Sequence, residues 1–293
     1  MSSPRVLLGR HDLRPRKSLG QNFLVDPTAP DRIADCAGLM ADDTVLEVGA
    51  GVGTLTTALA ARAGRVIAVE TDPALADVLS TEMTAWQHVQ VVHGDILALD
   101  PTSLLSISEG DLGERLWGRR LLRYHVVANL PYYITNAVVR HLLEARVRPF
   151  QMVLTVQREV AERMVAQAGE MSLLALSVQF YGKAELCLRL RRGAFYPPPK
   201  VESAVVRIVT YEQPPFVVED VGRFFQVARA GFAQRRKQLR NSLSSALGLD
   251  PEAVAAAVRG QDVDPARRAE TLSVAEWGRI YAGLSPLLAG TSS

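Results

Sequence analysis

Short apolar runs alternate with amphipathic stretches over the first two thirds of the chain. Residues 44–48 (TVLEV), 65–70 (RVIAVE), 89–93 (VQVVH), 125–130 (HVVANL) and 150–157 (FQMVLTVQ) read as strands. They are nearly all apolar, as expected of parallel strands with helices on both faces. Between them, residues 54–62, 73–84 and 135–145 read as helices. Asp72 suits an N-cap and Pro73 a first helical turn. Strands alternating with helices predict βαβ units and a parallel sheet, an α/β fold. Residues 158–168 and 171–180 read as helices, and 184–190 and 203–209 as strands flanking Pro197-Pro198-Pro199.

After Thr210 the pattern becomes helical throughout, to about Leu288. The reading is therefore two domains, 1–210 and 211–293, with Gln213-Pro214-Pro215 as a linker. Across 223–243, Phe225, Ala228, Phe232, Leu239 and Leu243 share one helical stripe, with Arg229, Arg236, Lys237 and Arg240 beside it. This predicts one long helix with a basic outer side. Residues 101–123 mix Ser, Gly and both charge signs without clear periodicity, and are expected to form a surface insertion.

Composition narrows the class. Of 293 residues, 48% are hydrophobic and 22% charged, which excludes disorder as the dominant state. The 2 cysteines, Cys36 and Cys187, exclude a disulfide framework and a cysteine-rich zinc site. They read as buried small hydrophobes and suit a reducing compartment. The five histidines show no metal-ligand spacing, so no metal is expected. No secretory signal and no run of ~20 apolar residues is evident. A cytoplasmic protein with no membrane partner is expected.

The net charge is only +2, but its distribution is uneven. Residues 1–18 carry five basic side chains against Asp12, and 182–200 carry five against Glu185. Residues 223–240 carry six (Arg223, Arg229, Arg235, Arg236, Lys237, Arg240) and no acid. Taken singly, such runs are solvated helix faces. Three in a nearly neutral chain point to a phosphate-rich partner.

Glu47-Val48-Gly49-Ala50-Gly51-Val52-Gly53 follows the first of these strands and opens a helix. Glycines there let the backbone approach a ligand at the strand carboxyl ends. Glu70 ends the next strand, where a carboxylate can accept from a ribose diol. So far a dinucleotide enzyme and an adenosylmethionine enzyme look alike. The dinucleotide fingerprint needs G-x-G-x-x-G, and Thr54 stands where its third glycine belongs. Asp95 after the 89–93 strand adds a second acid, able to accept from an adenine amine.

Asn129-Leu130-Pro131-Tyr132 ends the 125–130 strand. It is similar to the N/D-P-P-Y/F element of amino-group methyltransferases. An adenine N6 lone pair is delocalised into the ring and is a poor nucleophile. The Asn129 side-chain oxygen and the Leu130 carbonyl can accept its two hydrogens and localise that pair. Pro131 stiffens the backbone. Tyr132 offers a flat face for an extruded base.

Together these motifs resemble the bacterial small-subunit ribosomal RNA adenine N6-dimethyltransferase family, from about Arg14 to Leu243. The N-terminal match is Ser18-Leu19-Gly20-Gln21-Asn22-Phe23-Leu24-Val25-Asp26. A second is Phe195-Tyr196-Pro197-Pro198-Pro199-Lys200-Val201-Glu202-Ser203-Ala204-Val205-Val206. A third runs from Phe232 to Leu243 and includes Arg235-Arg236-Lys237. The resemblance implies a Rossmann-like class I methyltransferase sheet with a small C-terminal all-helical domain. It implies S-adenosyl-L-methionine as cofactor, with Asn22 and Leu24 at its methionine part. Gly49 and the loop through Gly51, Glu70, Asp95 and Asn129 complete the cofactor site. Asn129, Leu130, Pro131 and Tyr132 form the catalytic element, and Phe195 helps to hold the target base. Arg235, Arg236, Lys237 and Arg240 meet the RNA.

The implied reaction is N6,N6-dimethylation of two adjacent adenines near the 3′ end of 16S rRNA. The implied partner is an immature small ribosomal subunit, met by a monomeric enzyme. Two departures touch the substrate side: 101–123 is long, and 166–172 is short. Three other functions compete. Large-subunit methylation of the macrolide-resistance type is disfavoured by the Phe-x-Pro-Pro-Pro-Lys-Val signature and by Leu130. A nicotinamide dehydrogenase is disfavoured by Thr54, and a non-catalytic assembly factor by the intact Asn129 and Tyr132.

Overall fold

A computed structural model describes residues 3–105 and 123–289. The greater part of the expected 101–123 insertion, residues 106–122, lies outside the described residues. The strands are β1 (Phe23–Leu24), β2 (Thr44–Val48), β3 (Arg65–Glu70), β4 (Val89–His93), β5 (Tyr124–Asn129), β6 (Gln151–Gln157), β7 (Gly182–Leu190), β8 (Phe195–Tyr196) and β9 (Ser203–Thr210). Seven form one sheet in the order β4-β3-β2-β5-β6-β9-β7. Strands β2 to β6 pair in parallel, and β9 runs antiparallel to β6. The expected parallel sheet is present, with two added strands on its β6 side.

The helices of this half are α1 (Pro4–Arg10), α2 (Ala29–Ala37), α3 (Thr54–Ala60), α4 (Pro73–Glu82), α5 (Pro101–Leu104) and α6 (Thr135–Leu143). Asp72 caps α4 as its residue type suggests, accepting from the Ala74 N–H at 3.1 Å. Ile33, Leu55, Leu59, Val45, Val66, Val127, Val153 and Val205 meet in one buried core cluster against the central strands. The N-terminal arm was not legible as structure. Its α1 packs Leu7 and Leu8 with Phe23, Val52, Leu75 and Val78, and β1 pairs with β8.

The chain forms two compact units, and their border differs from a single cut after 210. One comprises residues 1–161 and 184–210; the other comprises 162–183 and 211–293. The end of α7 (Arg158–Met164), from residue 162, and all of α8 (Leu173–Tyr181) thus belong with the C-terminal helices α9 (Val221–Phe232), α10 (Leu239–Leu247), α11 (Pro251–Arg259) and α12 (Val274–Ala289). The reason is aromatic. Phe180 in α8 lies 4.9 Å from Phe224, 5.5 Å from Phe216 and 5.5 Å from Phe225, ring centre to ring centre.

The long helix expected over 223–243 is two helices. Residues 233–238 form a turn that carries Arg235, Arg236 and Lys237, all exposed. The break is stabilised from outside: the Leu239 and Arg240 N–H groups donate to the carbonyls of Arg267 (2.7 Å) and Pro265 (3.1 Å). Periodicity alone did not reveal this, because Leu239 and Leu243 return to the core on the second helix. The short 166–172 segment is also tied down, with Gly169 and Met171 N–H both on the Glu270 carbonyl.

Candidate active site

The first unit holds a cavity of about 290 Å³ at the carboxyl ends of β2, β3, β4 and β5. That is close to the lower end of small-ligand sites. Its wall includes Asn22, Leu24, Gly49, Gly51, Glu70, Asp95, Asn129, Leu130, Pro131 and Tyr132. Every expected cofactor-facing and catalytic residue is therefore in one place, from five separate segments of the chain.

The glycine loop shows why those residue types stand there. Gly49 and Gly51 have φ of 73° and 59°, left-handed values that favour glycine. A Cβ on Gly51 would also press on the Phe23 ring at 3.2 Å, so glycine lets the N-terminal arm close over the loop. That arm is pinned at Asp72: Arg16 and the Gln21 amide both reach its carboxylate at 3.2 Å.

Glu70 accepts from Gly51 N–H at 2.8 Å and from Asp72 N–H at 2.9 Å, one bond on each oxygen. Each oxygen keeps a second lone pair for a ligand. Burial raises its pKa, and the backbone N–H groups of Asp72, Gly51 and Thr71 oppose that. Among the described residues, Asp95 uses only Oδ1, which accepts from the Leu97 N–H at 3.0 Å. Asn129 donates Nδ2–H to the Asn22 carbonyl at 2.9 Å. Its Oδ1 accepts no hydrogen bond among the described residues. The Leu130 N–H donates to Thr155 O at 3.2 Å, while its own carbonyl accepts no hydrogen bond among the described residues. Tyr132 is half-buried, with its hydroxyl against the Ser203 hydroxyl at 2.7 Å. Ser203 belongs to the proline-rich motif, so that motif reaches the site through this contact.

Glu47, which the sequence offers only as part of the glycine motif, is the most consequential addition. It lies on the cavity wall, 1% exposed, with Oε2 unpaired. Burial, with Glu70 nearby, pushes its carboxyl up to about 8. Thr54 Oγ1 is a second unpaired buried atom on the same wall. An acid inside the apolar run TVLEV was the available signal. Tyr133 also lines the cavity and was not singled out.

Phe195 requires a correction. It is 1% exposed, within the core cluster of Ile33, Leu59 and Val205, and does not line the cavity. It is paired with Leu24 across β1 and β8, and its ring is packed in the core. Cys187 corrects another expectation, being exposed rather than buried. His125 is a satisfied core residue, 4% exposed, between Asp43 and Gln151. His141 reaches the Leu99 carbonyl. Among the described residues, no cluster of His, Cys, Asp and Glu can hold a metal. No described helix is long and apolar enough to cross a membrane.

Solved structures share this architecture. The 23S rRNA methyltransferase ErmE is 27% identical with a TM-score of 0.68, covering 90% of this chain and 100% of its own. A dimethyladenosine transferase from Plasmodium falciparum is 21% identical with a TM-score of 0.75, covering 90% and 98%. The fold is that of the Rossmann-like class I methyltransferases. The profile of a family described as ribosomal RNA adenine dimethylase matches residues 13–285. The ribosomal RNA small subunit methyltransferase A of Dehalococcoides mccartyi is 43% identical over 288 residues, 97% of this chain and 94% of its own. This chain belongs to the ribosomal RNA adenine dimethylase family.

Proposed function

We propose that this enzyme transfers methyl groups from S-adenosyl-L-methionine to N6 of two adjacent adenines near the 3′ end of 16S rRNA, twice on each base. The observation that carries this reading is that Asn129 and Leu130, whose Oδ1 and main-chain carbonyl accept no hydrogen bond among the described residues, stand on the wall of a cavity shared with Glu70 and Asp95. The cavity residues fit the cofactor. The unpaired Oε2 of Glu47 suits the ammonium of a methionine moiety, directly or through water. The spare lone pairs of Glu70 suit a ribose diol, and Asp95 Oδ2 suits an adenine amine.

Bound there, adenosylmethionine supplies an electrophilic sulfonium methyl. The protein's part is orientation and polarisation. In the first transfer Asn129 and the Leu130 carbonyl accept the two N6 hydrogens and shift the lone pair onto nitrogen; in the second, one N6 hydrogen remains for one of these acceptors. Pro131 stiffens the turn that carries the carbonyl. The Tyr132 ring, steadied through its hydroxyl by Ser203, stacks on the extruded base. The acidic product proton leaves to water, so no strong base is needed.

Arg235, Arg236, Lys237 and Arg240 serve the RNA backbone in this reading. The substrate is an immature small subunit in the cytoplasm, met by a monomer. Transfer of labelled methyl groups to small subunits lacking the modification tests the proposal. Incorporation at two neighbouring adenines, four per subunit, is expected. Incorporation only into large-subunit RNA, or none, would overturn it.

A further inference from the structure

Tyr133 is the most exposed Phe, Tyr or Trp among the described residues, 62% open to solvent. It nevertheless stands on the wall of the cavity beside Asn129, Pro131 and Tyr132. The two neighbouring tyrosines have different environments. Tyr132 is half-buried and held at Ser203, whereas the Tyr133 hydroxyl has no hydrogen bond among the described residues. The chain turns tightly between them, with Ile134 N–H on the Pro131 carbonyl at 3.2 Å.

The exposed ring has a firm backing. A Cβ added to Gly20 would lie 3.1 Å from Tyr133 Cδ1 and 3.3 Å from Cε1, so the ring rests against bare backbone. Gly20 has φ 58°, a conformation that favours glycine. Its carbonyl accepts from the Asn22 amide at 2.9 Å, and Asn129 in turn holds the Asn22 carbonyl. One ring edge is thus braced by the N-terminal arm, and much of the remaining surface faces solvent at the cavity mouth.

We propose that Tyr133 is a substrate-positioning residue whose open face stacks the nucleobase adjacent to the one held in the cavity. The inference rests on the RNA-methylation reading above. Drawing one base out of a strand deprives its neighbour of a stacking partner, and an aromatic shelf at the mouth replaces it. Stacking tolerates any base, because each presents a π-face. The same shelf therefore serves whichever of two adjacent targets lies outside.

Methyl-transfer kinetics on unmodified small subunits test this, with wild type, Tyr133→Ala and Tyr133→Phe compared. Tyr133→Ala is expected to raise KM about tenfold, the order expected for one lost base–aromatic stack, with the loss falling on KM rather than kcat. Tyr133→Phe is expected to restore the wild-type KM, since the ring and not the hydroxyl acts. Cofactor affinity by calorimetry should be unchanged in both. An unchanged KM in the alanine variant overturns the inference. So does a phenylalanine variant as impaired as alanine, or a parallel loss of cofactor affinity, which would make the ring a brace for the arm. Failure of the wild type to methylate any small subunit would instead overturn the functional reading beneath it.

Discussion

Asn129 divides its amide between two tasks. Nδ2 fastens the N-terminal arm through the Asn22 carbonyl, and that choice leaves Oδ1 as an acceptor. Asn129→Ala is expected to lower turnover by ~10²–10³-fold, as for loss of one polarising group at a reacting centre. Cofactor affinity should stay within about tenfold, because Glu47, Glu70 and Asp95 remain. Wild-type turnover in that variant would remove Asn129 from the mechanism. Glu47 gives a pH signature of its own. Its carboxyl has an ordinary value of 4.5 and is pushed up to about 8 by burial, so the folded protein holds a proton that the unfolded chain has lost. Its contribution to stability is full below 4.5 and is lost as pH rises through about 8. Glu47→Gln keeps a neutral side chain throughout. The ligand-free wild type should therefore lose stability relative to this variant between pH 5 and about 8.5, read from denaturant midpoints. Parallel pH profiles would show that Glu47 is not buried as a neutral acid.

At the scale of elements, the turn between α9 and α10 concentrates charge that a continuous helix would spread around its axis. Arg235, Arg236 and Lys237 are exposed there, without a carboxylate partner among the described residues. Arg240 differs: it stands 3.6 Å from Glu252, which also meets Arg259. Neutralising the three turn residues should weaken RNA binding and reduce the slope of log affinity against log salt by up to about two. Arg240→Gln alone should reduce that slope by less than about one, because its guanidinium is shared with Glu252. An unchanged slope after the triple substitution would mean that the turn faces plain solvent.

For the whole molecule, the division into two units separates the cavity from the aromatic helical core. Every residue on the cavity wall belongs to the unit of 1–161 and 184–210. The other unit depends on close approaches such as Gly231, where an added Cβ would overlap the buried Trp277 indole. Gly231→Ala is expected to destabilise that unit by ~1–3 kcal/mol, the usual cost of overpacking. Adenosylmethionine affinity should stay within about threefold below the transition. An equal loss of cofactor binding would show that the units do not act separately.

Local chemistry was enough to reveal strands β2 to β6, because apolar runs bounded by turns depend on near neighbours. That the glycine loop, Glu70, Asp95 and the Asn129–Tyr132 element gather at the strand ends was legible for the same reason: each stands at or just after the end of a strand that its own neighbours define. Long-range contacts decided the rest. The aromatic cluster drew α8 to the C-terminal helices, and the carbonyls of Pro265 and Arg267 broke the expected helix into two. Packing against Ile33, Leu59 and Val205 buries Phe195, and the arm that closes the cavity was invisible because its partners lie elsewhere in the chain. Sequence by itself determined which chemistry this protein carries. Only the tertiary structure decided which side chains face the cavity and which are spent on the core, since burial is a property of packing between distant segments.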